Sequence, residues 1–357
     1  MANITTNTTP LTRDSNAELL RLICMVFIVF HHILVHGAYP ELLEGGAAIA
    51  TTEAKIALFL NGLFYPAVNI FILISGYYGI KPTVRKFFNL YTFCAFYGLL
   101  NYFAKIITTG QHIGRSMIIE TFFPFAHSSY WFIPCYIALF CMAPLLNRFI
   151  QESSKKEFSI TIILLTFANV WLGYLGGKSK INAGYCTMQM VYMYVIGGYI
   201  KRFVNIQGLK NKRWILIFAY VLCGALWAIS GLVQTKRDLF TYNHPFNILG
   251  AIAFFLFAMT FSFKSRAVNW FSLSALAVYL IQESTAAQGF LYPKMRLLSG
   301  TYGGVSFLIF TSLALAIPII CCLFDKIRIL IMRPIWAIYN KIEPKLNKIQ
   351  KSFMDTV

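Results

Sequence analysis

Acidic residues are scarce in this chain: there are 13 Asp and Glu among 357 residues, against 31 Lys and Arg. Charged residues of both signs make up only 12% of the sequence, where a soluble domain carries about 25%. No polar stretch is long enough to fold as a separate soluble domain. Hydrophobic residues fill 58% of the chain and the mean hydropathy is +0.63, which excludes an ordinary soluble protein. The eight cysteines contain no CxxC pair. Cys24, Cys94, Cys135, Cys141, Cys223, Cys321 and Cys322 lie within apolar runs and Cys186 at the edge of one, so neither a disulfide framework nor a zinc site is expected. The net charge of +18 does not point to nucleic acid, because the basic residues are scattered between apolar segments as membrane topology requires.

What is present is a series of apolar runs. Ten of them are long enough to cross a hydrocarbon core of ~30 Å, near 16–37, 57–80, 87–108, 130–148, 158–176, 186–203, 213–233, 245–263, 269–290 and 303–324. The first has no small-residue cleavage site after it and is read as a retained helix, with Ser15 and Glu18 forming a capping box at its start. With a cytoplasmic N-terminus, 21 Lys and Arg fall in inside segments and nine in outside ones, and the alternation persists through the larger loops. The expected fold is therefore an all-α, polytopic bundle of about ten transmembrane helices with both termini in the cytoplasm. It divides into an N-terminal segment (1–15), a membrane domain (16–332) and a basic tail (333–357).

Ionisable residues inside membrane helices are costly and mark function. Arg21 and His32 share the first span, and eleven steps of ~100° return to within about 20° of the starting azimuth, so both project from one face about 16 Å apart along the axis. His31 faces elsewhere, and His36 follows His32 by one turn as either a mouth residue or a polar terminus. In the ninth span Gln282 and Glu283 come at nearly the depth of His32. Glu283 is then either the acid of a base-orienter pair with His32 or a buried structural carboxyl. In the second span Ser75 and Gly76 allow close helix approach, and Tyr77 and Tyr78 suit an interfacial belt before Lys81. Tyr130 and Trp131 open the fourth span after a loop containing His127; such aromatics either anchor at the interface or stack on sugar rings. His112 and His244 are read as loop or loop-edge residues. No metal is expected, since His31, His32 and His36 have no carboxylate nearby on their own helix.

Five segments together resemble a known family: Arg-x10-His from Arg21 to His32, NIFILISGYYGIK, SSYWFIPCYIALFCMAPLLN, VYMYVIGGYIKR and SLSALAVYLIQES. Their order and spacing, from about residue 15 to 332, are similar to acyltransferase family 3, integral-membrane O-acyltransferases. The resemblance implies transfer of an acyl group, usually acetyl, from cytoplasmic acyl-CoA to a hydroxyl of a cell-surface glycan or lipid-linked sugar, in the cytoplasmic membrane of a bacterium. It also implies that His32 and Arg21 are the functional pair. Two departures stand out. The loop after the second span reads KPTVRK rather than Arg-x-x-Arg, leaving Lys81, Arg85 and Lys86 as the donor-side cations, and Gln282 replaces a histidine that often ends the ninth-span motif.

The chemistry of such a transfer needs a base for the hydroxyl proton, a cationic site for the CoA phosphates and donors for the oxyanion. His32, with an ordinary pKa near ~6.5, can supply the first. Arg21 with Lys81, Arg85 and Lys86 can supply the second. Tyr130, Trp131, Gln282 and His36 are the candidates for acceptor contact. Acetyl-CoA is expected as a co-substrate, with no permanently bound cofactor. A transporter or flippase would also line a path with ionisable groups, but no inverted repeat is visible. A glycan polymerase or ligase would carry a large polar outer loop, and the longest outer loops here span about twenty residues. In the tail, Lys341, Lys345, Lys348 and Lys351 alternate with Ile342, Leu346 and Ile349. That pattern fits either a basic amphipathic helix interrupted at Pro344 or a topology-fixing signal.

Overall fold

A computed structural model describes residues 14–110, 114–125, 130–176, 182–233 and 239–356, and among these residues the chain is all-helical with no strand. In chain order the α-helices are α1 (Ser15–His32), α2 (Thr52–Phe64), α3 (Ala67–Tyr78), α4 (Val84–Thr109), α5 (Arg115–Phe122), α6 (Phe132–Glu152), α7 (Lys155–Thr166) and α8 (Thr187–Phe203). They continue as α9 (Arg213–Val233), α10 (Pro245–Met259), α11 (Arg266–Ser272), α12 (Ala275–Gln282), α13 (Thr285–Tyr302), α14 (Ser306–Ile331) and α15 (Arg333–Thr356). Two π-helical segments, Ile33–Ala38 and Phe167–Leu175, extend α1 and α7. His127 and His112 lie outside the described residues, as do the loop cations Lys178, Lys180, Lys236 and Arg237.

Seven helical stretches of the described residues are long and apolar enough to cross a membrane: Ser15–Ala38, Thr52–Tyr78, Val84–Ile107, Phe132–Glu152, Lys155–Leu175, Gln207–Val233 and Thr285–Ile331. Two of the runs expected to span, 186–203 and 245–263, form helices of only 17 and 15 residues, α8 and α10. The expected continuous span 269–290 is broken twice. Ser265 Oγ caps α11, the chain turns at Leu273 and Ser274, and α12 stops at Gln282. Ser284 Oγ then accepts from the Ala287 N–H and starts α13. A hydroxyl placed to satisfy an orphan N–H favours a new helix start over continuation of the old one.

The bundle is organised around α1, which packs against α2, α3, α10, α11, α12 and α14. The expected capping box at its start does not form. Asp14 is the N-cap residue, and Ser15 Oγ instead donates to Asn269 Oδ1 (2.9 Å) and accepts from Ser265 N (2.8 Å), tying α1 to α11. A true capping box occurs at Ser154 and Glu157, where α7 begins. Close approach of α3 and α8 rests on Gly76 and Gly197, where a Cβ would collide with the backbone of Tyr194 and of Leu73 respectively. Without a hydrophobic drive between helices in lipid, such small-residue contacts supply the packing.

The tail is a single helix that continues through Pro344 rather than breaking there. It docks on the start of α4, with Tyr339 stacked on Phe88 at 4.5 Å and Arg85 Nη1 donating to Glu343 Oε2 (2.6 Å) and Asn340 Oδ1 (3.2 Å).

Candidate functional site

A cavity of about 1000 Å³ runs inside the bundle beside α1, from Asp14 to His32. Arg21 and His32 both line it, as their shared azimuth requires. At one end stand Asp14, Glu18, Arg21, Lys81 and Lys86; at the other are His31, His32, Tyr65, Trp131, Tyr242, Tyr279 and Glu283. The walls between them are apolar, formed by residues such as Met25, Ile28, Val68, Phe71 and Leu276. A chamber with one charged end, an apolar middle and an imidazole-carboxylate end suits a long ligand with a charged head.

The charged end is internally paired. Arg21 Nη1 lies 2.5 Å from Glu18 Oε1, and the Arg21 side chain remains 27% exposed. Lys264 Nζ approaches Asp14 Oδ1 at 3.0 Å, and Tyr78 donates to Asp14 Oδ2 at 3.1 Å. The lysine ammonium holds the Asp14 carboxyl below the usual carboxylate range. Lys86 Nζ donates to the Lys81 carbonyl at 2.9 Å. Arg85, the third cation of KPTVRK, does not join this end: it turns to Glu343 and Asn340 of α15, with its guanidinium 5.4 Å from the Trp336 ring centroid.

At the opposite end the break between α12 and α13 places Glu283 directly on His32. Glu283 Oε1 lies 2.8 Å from His32 Nδ1, and both side chains are largely buried. The Gln282 carboxamide rests against the same ring nitrogen, 2.7 Å from its Nε2 and 2.9 Å from its Oε1. Gln282 Nε2 also lies within donating distance of Glu283 Oε1 and of the Tyr292 hydroxyl, at 3.3 and 3.2 Å. Gln288 Nε2 donates to Glu283 Oε2 and to the Glu283 carbonyl. The carboxylate is thus held from α13 while it holds the imidazole on α1.

His31 does not simply face away. Its Nδ1 is 2.6 Å from Asn61 Oδ1 on α2, as a divergent azimuth allows, yet its ring still borders the cavity and packs 5.0 Å from that of His32. His36 lies beyond, on the π-helical segment, where Tyr39 N–H donates to the Leu34 carbonyl five residues back. It lines a second cavity of about 560 Å³ with Gly37, Pro40, Tyr292, Arg296 and Thr301, and its ring packs 5.7 Å from that of Tyr292. Along α1 the two cavities are consecutive, with the layer of His32, Gln282 and Tyr292 between them.

Trp131 lines the large cavity, stacked at 5.1 Å on Tyr242 and packed at 4.6 Å against Tyr185. Tyr130 does not: its hydroxyl donates to the Leu280 carbonyl and anchors α12. Sequence reasoning missed Tyr65, Tyr185 and Tyr242, which join Trp131 in one aromatic cluster, with the Tyr65 and Tyr185 hydroxyls 3.0 Å apart. A signal for Tyr65 was available in the Tyr65-Pro66 pair, which divides α2 from α3. Tyr242 belongs to a loop held inside the bundle by amide side chains, with Asn69 and Gln189 both donating to its carbonyl. His244 is a buried helix cap whose Nδ1 accepts from Phe246 N–H.

Compared with known proteins, residues 14–325 match a family model described as an acyltransferase domain, of the acyltransferase 3 type. No curated relative and no solved structure matches the chain.

Proposed function

From the premise that this chain belongs to the acyltransferase 3 family and is a multi-pass membrane acyltransferase, we propose that it acetylates a hydroxyl of a surface glycan or lipid-linked sugar with acetyl-CoA as donor. The contact between Glu283 Oε1 and His32 Nδ1, at the end of the cavity opposite Arg21, carries this reading. An ionised carboxylate selects the tautomer in which Nδ1 carries the proton and donates it, leaving Nε2 with a lone pair as general base. Glu283 is a positioning residue in this scheme and His32 the catalytic one.

The donor enters at the end marked by Arg21, Lys81 and Lys86, which faces the cytoplasm in the orientation set by the basic loops. There its phosphates meet charge-assisted donors. The thioester arm lies along the apolar wall, and the ~16 Å between Arg21 and His32 suits an extended pantetheine arm. The acceptor arrives past His36 and Tyr292, with Trp131 and its aromatic neighbours as a stacking surface. His32 Nε2 takes the hydroxyl proton as the oxygen bonds to the thioester carbonyl carbon. Collapse of the tetrahedral intermediate breaks the carbon–sulfur bond, and the proton on Nε2 passes to the departing CoA thiolate. In a two-step variant, Nε2 itself attacks the thioester and breaks the carbon–sulfur bond, expelling the CoA thiolate; the sugar hydroxyl then takes the acyl group from acyl-His32, its proton ending on that thiolate.

Glycan mass in cells with and without the protein tests the proposal. Loss of one acetyl mass per modified unit is the expected result, shortened chains would instead indicate polymerisation, and unaltered glycan would refute the reading. A labelled protein after exposure to donor alone would select the two-step variant.

A further inference from the structure

His31, His32 and His36 do more than line the cavities. One ring nitrogen from each of the three lies within 4.8 Å of the other two. The π-helical segment helps to produce this grouping, because i→i+5 bonding after His32 shifts the register in which His36 follows. The rings pack at 5.0, 5.4 and 6.1 Å between centroids.

The outer partners of two of these rings complete the pattern. Nδ1 of His31 meets Asn61 Oδ1 and Nδ1 of His32 meets Glu283 Oε1, at 2.6 and 2.8 Å. Histidines that ligate metals almost always give their other ring N–H to a carbonyl or carboxylate oxygen, which fixes the tautomer and raises the basicity of the ligating nitrogen. The sequence offers no carboxylate near these histidines on their own helix, but the fold brings one from the α12–α13 break. Tetrahedral coordination at about 2.0–2.1 Å brings ligand nitrogens to about 3.4 Å from one another. Rotation of His36, whose side chain is exposed, can supply that closure.

We propose that His31, His32 and His36 form a binding site for a divalent first-row transition ion of the zinc type, and that filling it silences acyl transfer by occupying the lone pair of His32. Three imidazoles without a thiolate favour zinc, copper or nickel over calcium or magnesium. The binding stands apart from the acyltransferase reading, whereas the silencing rests on it.

The full-length protein, purified in detergent and stripped with EDTA, is titrated with Zn2+ alone against a chromophoric chelator; Co2+ absorption reports the coordination geometry. One Zn2+ per chain is expected. His36→Ala, at an exposed position outside the helix core, should weaken binding at least about tenfold, and Glu283→Gln, through His32, by about 10- to 100-fold. Failure of the wild type to compete with the chelator, or wild-type affinity in His36→Ala, overturns the site. In the acetyl-transfer assay, Zn2+ should inhibit and EDTA restore turnover, with the inhibitory concentration rising in His36→Ala relative to that variant's own rate. Stoichiometric Zn2+ binding at an unchanged transfer rate overturns the silencing. A protein that binds Zn2+ and never transfers acetyl overturns the acetyl-transfer reading, and the silencing with it, while the metal site stands.

Discussion

Replacing Glu283 separates an orienting carboxylate from a structural one. Its contact with His32 is a largely buried, charge-assisted hydrogen bond of 2.8 Å, a class worth about 1.5–3 kcal/mol. At 1.36 kcal/mol per tenfold in rate, losing it in the transition state slows turnover about 10- to 150-fold, the effect expected of Glu283→Ala. Glu283→Gln should be worse despite its near-identical shape. A carboxamide can donate to Nδ1, which moves the imidazole proton to Nε2 and removes the base, and a general base contributes about 10²–10⁴. The assay is single-turnover acetyl transfer to a sugar acceptor by protein of matched abundance, with donor concentration varied. Because Glu283 lies far from Arg21 and Lys81, the loss should fall on kcat with the KM for donor unchanged. Glu283→Gln turning over within about threefold of the wild type, or losing activity only through donor KM, would refute the orienting role.

Three further outcomes follow from the same geometry. His32→Ala should abolish transfer with the protein still inserted, while His31→Ala, which loses the Asn61 bond at a cost of about 1–3 kcal/mol, should keep much of the transfer; equal loss in both removes the distinction. Arg21→Ala, or Lys81 and Lys86 replaced together, should raise donor KM, and Arg21→Lys should recover little if the phosphate contact is bidentate; donor titrations with unchanged affinity would place the cationic site elsewhere. Truncation after Arg333 removes the stacking on Phe88 and should lower abundance while specific activity holds, whereas Glu343→Ala alone costs only ~0–1 kcal/mol as a partly exposed ion pair; normal abundance without turnover would move the tail into the donor site.

Helical periodicity was enough to align Arg21 with His32, and counting residues past two helix starts set Glu283 at the depth of His32. Neither step required knowledge of neighbours. Contacts decided by a distant partner were not legible. Nothing local says that Arg85 will choose Glu343, 258 positions away, over the cavity that receives Lys81 and Lys86. Nor does SNAE announce that Ser15 will bond Asn269 instead of capping its own helix. The break after Gln282 was hidden because Glu283-Ser284-Thr285 sits in a sequence apolar enough to read as one span, and only the Ser284 cap reveals the new start. The aromatic cluster draws Tyr65, Trp131, Tyr185 and Tyr242 from four separate parts of the chain, so no window could contain it.

The π-helical segment after His32 also bears on how this helix can change over generations. A π segment holds one residue more than the α-turn it replaces, so a single-residue deletion within Ile33–Ala38 can be absorbed by reverting to α-helix. Everything before it, Arg21 and His32 included, would keep its azimuth, and the change would fall on His36 and its neighbours within the segment, opposite the α13 wall of the smaller cavity. An insertion or deletion inside α1 itself would instead rotate Arg21 away from His32 and disable both. The end of this helix beyond His32 is therefore free to lengthen or shorten by one residue without disturbing the half that carries Arg21.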